Sequence, residues 1–137
     1  MNGSDILDRL AIRELHEAYG DAVLRRDVAA WSRCWTSDAT WTLLGMTVDG
    51  RAAIAELWTQ AMQSYEAVSF IAVPSALIVE GDRAHGRTQT HEVLREVGGR
   101  CRVVGGAYDD TFVRVDGQWL YCTRSFRIVA EYPGEAA

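Results

Sequence analysis

A chain of 137 residues with 48% hydrophobic and 24% charged residues, five Trp and only two Pro has enough apolar content to bury a core of its own. That composition excludes a disordered or low-complexity chain. Its formal net charge of −5, with arginines scattered along the sequence rather than clustered, removes the electrostatic footprint that nucleic-acid binding needs.

The N-terminal Met1-Asn2-Gly3-Ser4-Asp5 has no basic stretch leading into an apolar run, so neither secretion nor membrane spanning is expected. Ser4 or Asp5 can cap a first helix, in which Ile6, Leu7, Leu10, Leu15, Ala18, Tyr19, Ala22 and Val23 recur at three- and four-residue steps. Asp27 restarts the pattern as an N-cap. Val28, Trp31, Cys34 and Trp35 then read as a short second helix that stops in the polar turn Thr36-Ser37-Asp38. Thr40 to Leu44 reads as a strand, and Thr47 to Gly50 as a second short extended piece. From Arg51 the period is helical again, with Ile54, Leu57, Trp58, Ala61 and Met62 as the apolar stripe.

Beyond residue 65 the pattern predicts four long strands, 67–79, 83–97, 101–115 and 118–130, joined by turns of two or three residues. Helices first and an antiparallel meander afterwards is an α+β order, in which a sheet curls over the helices. The chain reads as a single domain over 1–137, with 132–137 as a loose tail.

Several segments together look familiar. They are Ile12-Arg13-Glu14-Leu15 to Tyr19, the run Trp35 to Trp41, Asp49-Gly50 before a helix, Gly106-x-Tyr108-x-Asp110, Asp116-Gly117-x-Trp119, and Arg124. In this set the chain resembles the SnoaL-like branch of the nuclear transport factor 2-like superfamily, relatives of ketosteroid isomerase, scytalone dehydratase and hexachlorocyclohexane dehydrochlorinase. The resemblance implies a cone-shaped α+β barrel: three N-terminal helices packed on the concave face of a curved, mixed, mostly antiparallel sheet. It also implies a pocket between them and a homodimer through the outer sheet face. It does not fix a reaction, because members include isomerases, dehydratases, polyketide cyclases, epoxide hydrolases, oxygenase subunits and plain binding modules.

Set against those relatives, the carboxylate and histidine positions of the dehydratase dyad fall on Leu24 and near Ser69, and neither side chain can take up a proton near neutral pH. The base position of ketosteroid isomerase falls near Leu43, while Tyr19 matches its helix tyrosine, a preorganised donor in that enzyme. Four residues remain as catalytic candidates: Tyr19, His91, Asp110 and Arg124. His91 is the one histidine placed mid-sheet. Strand alternation separates Ala84, Gly86, Thr88 and Thr90 from His85, Arg87, Gln89 and His91, so His91 faces outward if the small residues face the helices. Tyr108 and Asp110 share a strand face and are expected inside, Asp110 either as an acid or base or as the ion-pair partner of Arg124. Arg124 matches an arginine that helps bind the leaving group in the dehydrochlorinase.

Trp41, Trp58, Met62, Phe70 and Tyr108 are the expected walls of a pocket for a flat hydrophobic small molecule. No metal-binding spacing, phosphate loop or nucleophile elbow is present, so no metal and no cofactor is expected. Cys34, Cys101 and Cys122 form no CxxC pair, which fits a reducing cytoplasm better than a disulfide framework. The function expected is cofactor-free acid/base chemistry, as lyase or isomerase, on a ring-containing hydrophobic substrate. The alternative is a binding or assembly module of the same fold, and behind it the small subunit of a larger oxygenase.

Overall fold

The computed structural model describes residues 3–133. In chain order these form α1 (Gly3–Arg25), α2 (Val28–Ser32), β1 (Trp35–Leu43), β2 (Met46–Asp49), α3 (Arg51–Met62), β3 (Tyr65–Glu80), β4 (Arg83–Glu96), β5 (Cys101–Val115) and β6 (Gln118–Tyr132). The strands make one sheet in the order β2-β1-β6-β5-β4-β3, in which only β1 and β6 run parallel. The three helices and this curved mixed sheet form the α+β architecture that the sequence implies.

Local chemistry accounts for the ends of several elements. Asp27 caps α2, its Oδ1 accepting from the Ala30 N–H at 3.0 Å. Ser4 and Asp5 fall inside α1 rather than ahead of it. The second helix stops at Ser32, and the expected polar turn at Thr36 to Asp38 belongs instead to β1, where the pairing with β6 shifts register between Trp35 and Thr40. Trp35, Ala39 and Trp41 explain the early start of the strand: all three are buried, and strand pairing aligns them with the core. At the other end β6 runs on to Tyr132, opposite Val103; residues 134–137 of the expected tail lie outside the described residues.

On α1 the buried face is Ile12, Leu15, His16, Tyr19, Ala22 and Val23, whereas Ile6, Leu7 and Leu10 stay at least half exposed. Around it sits an aromatic core in which Trp31 stacks on Trp58 with ring centroids 4.6 Å apart and planes 10° from parallel. Along β4 burial alternates cleanly, with Ala84, Thr88, Thr90 and Leu94 inside and His85, Arg87, Gln89 and His91 outside. A bulge in β3 between Pro74 and Ala76 presses the backbone against Gly86, where a Cβ would run into the Ala76 carbonyl oxygen.

Candidate active site

A cavity of about 200 Å³ lies between α1, α3 and the concave face of the sheet. Trp41, Trp58, Met62, Phe70 and Tyr108, the residues expected as walls, all line it, with Tyr19 beside them. The carboxylate that reaches it is Glu92, which sequence reasoning passed over. Glu92 lies on β4 opposite Phe70 of β3 and Val104 of β5, so the alternation that turns Thr88 and Thr90 inward turns Glu92 inward too. Carrying that period two residues beyond Thr90 was the signal available in the sequence.

Burial pushes the Glu92 carboxyl up to about 7, against a weaker downward pull from the Arg102 charge. Arg102 is itself engaged by Glu131, its Nη2 donating to Oε2 at 3.0 Å. Two phenols share the cavity with Glu92. Burial raises the pKa of both Tyr19 and Tyr108, the Glu92 charge adds to that rise, and Arg124 opposes it. Both hydroxyls therefore stay protonated and able to donate near neutral pH.

Below these tyrosines lies a buried ion pair. Asp110 and Arg124 stand directly opposite each other on β5 and β6. Arg124 Nε donates to Asp110 Oδ1 at 2.7 Å and Nη2 to Oδ2 at 3.2 Å, while the Thr88 hydroxyl donates to Oδ2 at 2.8 Å. Arg124 and Asp110 are 1% and 2% exposed, so this is the structural pair that the sequence left as one of two readings for Asp110. The guanidinium carbon sits 3.6 Å from the Tyr108 ring centroid, 4.3 Å from that of Tyr121 and 4.7 Å from that of Tyr19. Neither Asp110 nor Arg124 lines the cavity; they form its charged floor, one layer down.

His91 is exposed on the outer face of the sheet, across from Ile71 and Gly105, so the structure does not bring it to this cavity. The physical reason is the two-residue period of the strand: if Thr88, Thr90 and Glu92 point in, His91 points out. Leu24 and Ser69, where the dehydratase dyad would align, are both exposed as well. The buried histidine is His16, whose Nδ1 lies 2.6 Å from the Tyr121 hydroxyl oxygen. Burial first, then the charges of Arg124 and Arg13, push it down to about 3, so the ring is neutral. Among the described residues no group of three His, Cys, Asp or Glu is placed to hold a metal ion, and no helix is long and apolar enough to cross a membrane.

Solved structures confirm the architecture over nearly the whole chain. A scytalone dehydratase candidate from Novosphingobium aromaticivorans superposes with a TM-score of 0.90 at 18% identity, covering 100% of this chain and 94% of that one. A hexachlorocyclohexane dehydrochlorinase from Novosphingobium barchaimii gives 0.82 at 19% identity over 97% and 94%. An aromatic ring hydroxylase candidate from Novosphingobium aromaticivorans gives 0.84 at 27% identity over 91% of each chain. No functionally curated protein sequence matches. A profile of the SnoaL-like domain matches residues 4–125, nearly the whole chain, and the protein belongs to that family.

Proposed function

We propose that the cavity between α1, α3 and the sheet is the active site of a cofactor-free lyase or isomerase acting on a ring-containing hydrophobic substrate. The observation that carries this reading is the placement of Glu92, a carboxyl poised near neutral pH, in one apolar cavity with the hydroxyls of Tyr19 and Tyr108. A base with a pKa near 7 is half ionised at neutral pH and strong enough to take a proton from an activated C–H bond. Charge that develops on the substrate oxygen is met by Tyr19 and Tyr108. Arg124 serves as a positioning residue: it lies against both rings, raises their donor strength, and is held in place by Asp110. The dehydratase and dehydrochlorinase named among the similar structures support elimination as the reaction type.

Two further proposals accompany this one. Ile71, Val73, Val93, Val103 and Val129 are exposed on the outer face of the sheet, and a second copy of the chain covering them would give a homodimer. The three free thiols support a reducing, cytoplasmic setting.

The chemistry can be tested with 5-nitrobenzisoxazole, a flat apolar ring that opens when one base removes its ring C–H proton. The electron pair of that bond forms the nitrile as the N–O bond breaks, and the oxygen leaves as a phenolate. Wild type should open the ring with a rate that rises with pH to a plateau above about 7, and Glu92→Gln should lower it by about 100-fold or more. Tyr19→Phe should lower it by about tenfold or more through the lost donor. Equal rates for wild type and Glu92→Gln, with the probe still bound, would overturn catalysis by Glu92 and leave the binding-module reading.

A further inference from the structure

We propose that a second cavity, nearer the N-terminal end of α1 than the one holding Glu92, binds a small carboxylate with a hydrocarbon body. This cavity, about 300 Å³, lies between the first half of α1 and the bulged part of β3. It shares no lining residue with the cavity described above, so the two can be altered separately, and this inference does not rest on the catalytic reading.

Its walls mix hydrocarbon and polar surface, and its charges have one sign. Leu10, Ile12, Pro74, Leu77 and Phe112 supply the hydrocarbon surface, and no Asp or Glu lines it. Arg9, Arg13 and His16 follow one another at four- and three-residue steps along α1, which sets them on one helix face toward the cavity. Arg9 Nη1 donates to the Leu77 carbonyl oxygen at 2.9 Å, which fixes the guanidinium at the cavity wall; its other N–H donors have no hydrogen-bond partner among the described residues. Neither Arg9 nor Arg13 has an ion-pair partner among the described residues, in a chain whose net charge is −5.

His16 adds a neutral donor at depth. The Tyr121 proton finds no other acceptor among the described hydrogen bonds, so the hydroxyl donates to Nδ1, and the neutral ring carries its own proton on Nε2. Thr88, also on the wall, has its hydroxyl committed to Asp110 and presents no free charge. On the cavity wall, glycine at position 86 lets the β3 bulge pack directly against its backbone.

A cavity of this size, part hydrocarbon and with two guanidiniums that have no ion-pair partner among the described residues, matches a carboxylate head, which guanidinium forks bind in parallel N–H···O pairs, attached to a short hydrocarbon. A neutral alcohol of the same length would gain the apolar contacts alone.

The test is titration of the full chain with octanoate and with 1-octanol, followed by two-dimensional amide NMR. Octanoate should bind at least about tenfold more tightly than 1-octanol, and Arg13→Gln should remove about tenfold of that affinity. Arg13 is exposed, so that variant should fold as wild type does. Leu77→Trp should fill the cavity and abolish octanoate binding, while Glu92→Gln should leave it unchanged. Equal binding of acid and alcohol, an unchanged affinity in Arg13→Gln, loss of binding in Glu92→Gln, or no octanoate binding up to millimolar concentration would each overturn the proposal.

Discussion

Replacing Glu92 with Gln should make the protein more stable at alkaline pH and leave its stability unchanged in acid. The native fold holds the Glu92 carboxyl at about 7 against an ordinary 4.5, because ionising it inside an apolar cavity costs hydration. Between these two values the unfolded chain has released the proton while the native chain keeps it. The native state then binds more protons, so wild-type stability falls as pH rises from about 4.5 to about 7 and levels off above. At about 1.4 kcal/mol per pH unit the ceiling is about 3 kcal/mol, and contact with the cavity opening and with solvent reduces the expected loss to about 1–2 kcal/mol. Glutamine has the shape of the protonated acid and does not ionise, so the variant escapes this loss. Urea unfolding at pH 4.5, 6 and 8 measures it: the two midpoints should coincide in acid and separate, variant higher, toward pH 8. A gap that is constant with pH, or one in which wild type gains on the variant as pH rises, would refute the assignment of a strained carboxylate to this cavity.

Three other outcomes follow from the same geometry. Asp110→Asn leaves the buried Arg124 guanidinium without its countercharge and should cost about 3–5 kcal/mol in urea unfolding; a loss below about 1 kcal/mol would mean that water reaches the pair. Gly86→Ala forces a methyl group against the Ala76 carbonyl and should lower stability by about 3 kcal/mol, since the obstacle is backbone and cannot rotate away. His16, held near 3, should show no titration of its ring carbons in NMR spectra between pH 5 and 8; because its native value lies below its unfolded one, its contribution to stability is lost as pH falls from about 6.5 toward 3.

The order and type of the elements were legible in the sequence because hydrophobic period reports them directly. The four long strands after residue 65 end within about two residues of their observed limits, as local pattern allows. The walls of the cavity were legible for a related reason, in that large aromatics at core-facing positions have few other places to go. The start of β1 was not, since Thr36-Ser37-Asp38 has turn chemistry, and only pairing with β6 makes it strand. On α1 the exposed Ile6, Leu7 and Leu10 fitted a helical stripe as well as Ile12 did; which stripe is buried is set by the sheet beneath it, a tertiary fact. Glu92 was missed for a chemical reason. His91, a histidine in mid-strand, drew the choice of base, whereas Glu92 becomes a candidate base only through burial, which residue type does not announce.

The same three-dimensional logic explains how an arginine can sit at the centre of this small core. Burying Arg124 alone would be prohibitive, but Asp110 neutralises it at 2.7 Å, Thr88 steadies the carboxylate, and the faces of Tyr19, Tyr108 and Tyr121 surround the guanidinium. The pair is neutral as a unit, so it imposes no net charge on either cavity. It still orients dipoles on both sides: toward Tyr19 and Tyr108, which face Glu92, and through Tyr121 toward His16, which faces Arg9 and Arg13. One cavity thus holds an acid beside phenol donors, and the other a neutral imidazole beside two arginines that have no ion-pair partner among the described residues. Their opposite polarity is the reason to expect ligands of different charge in each.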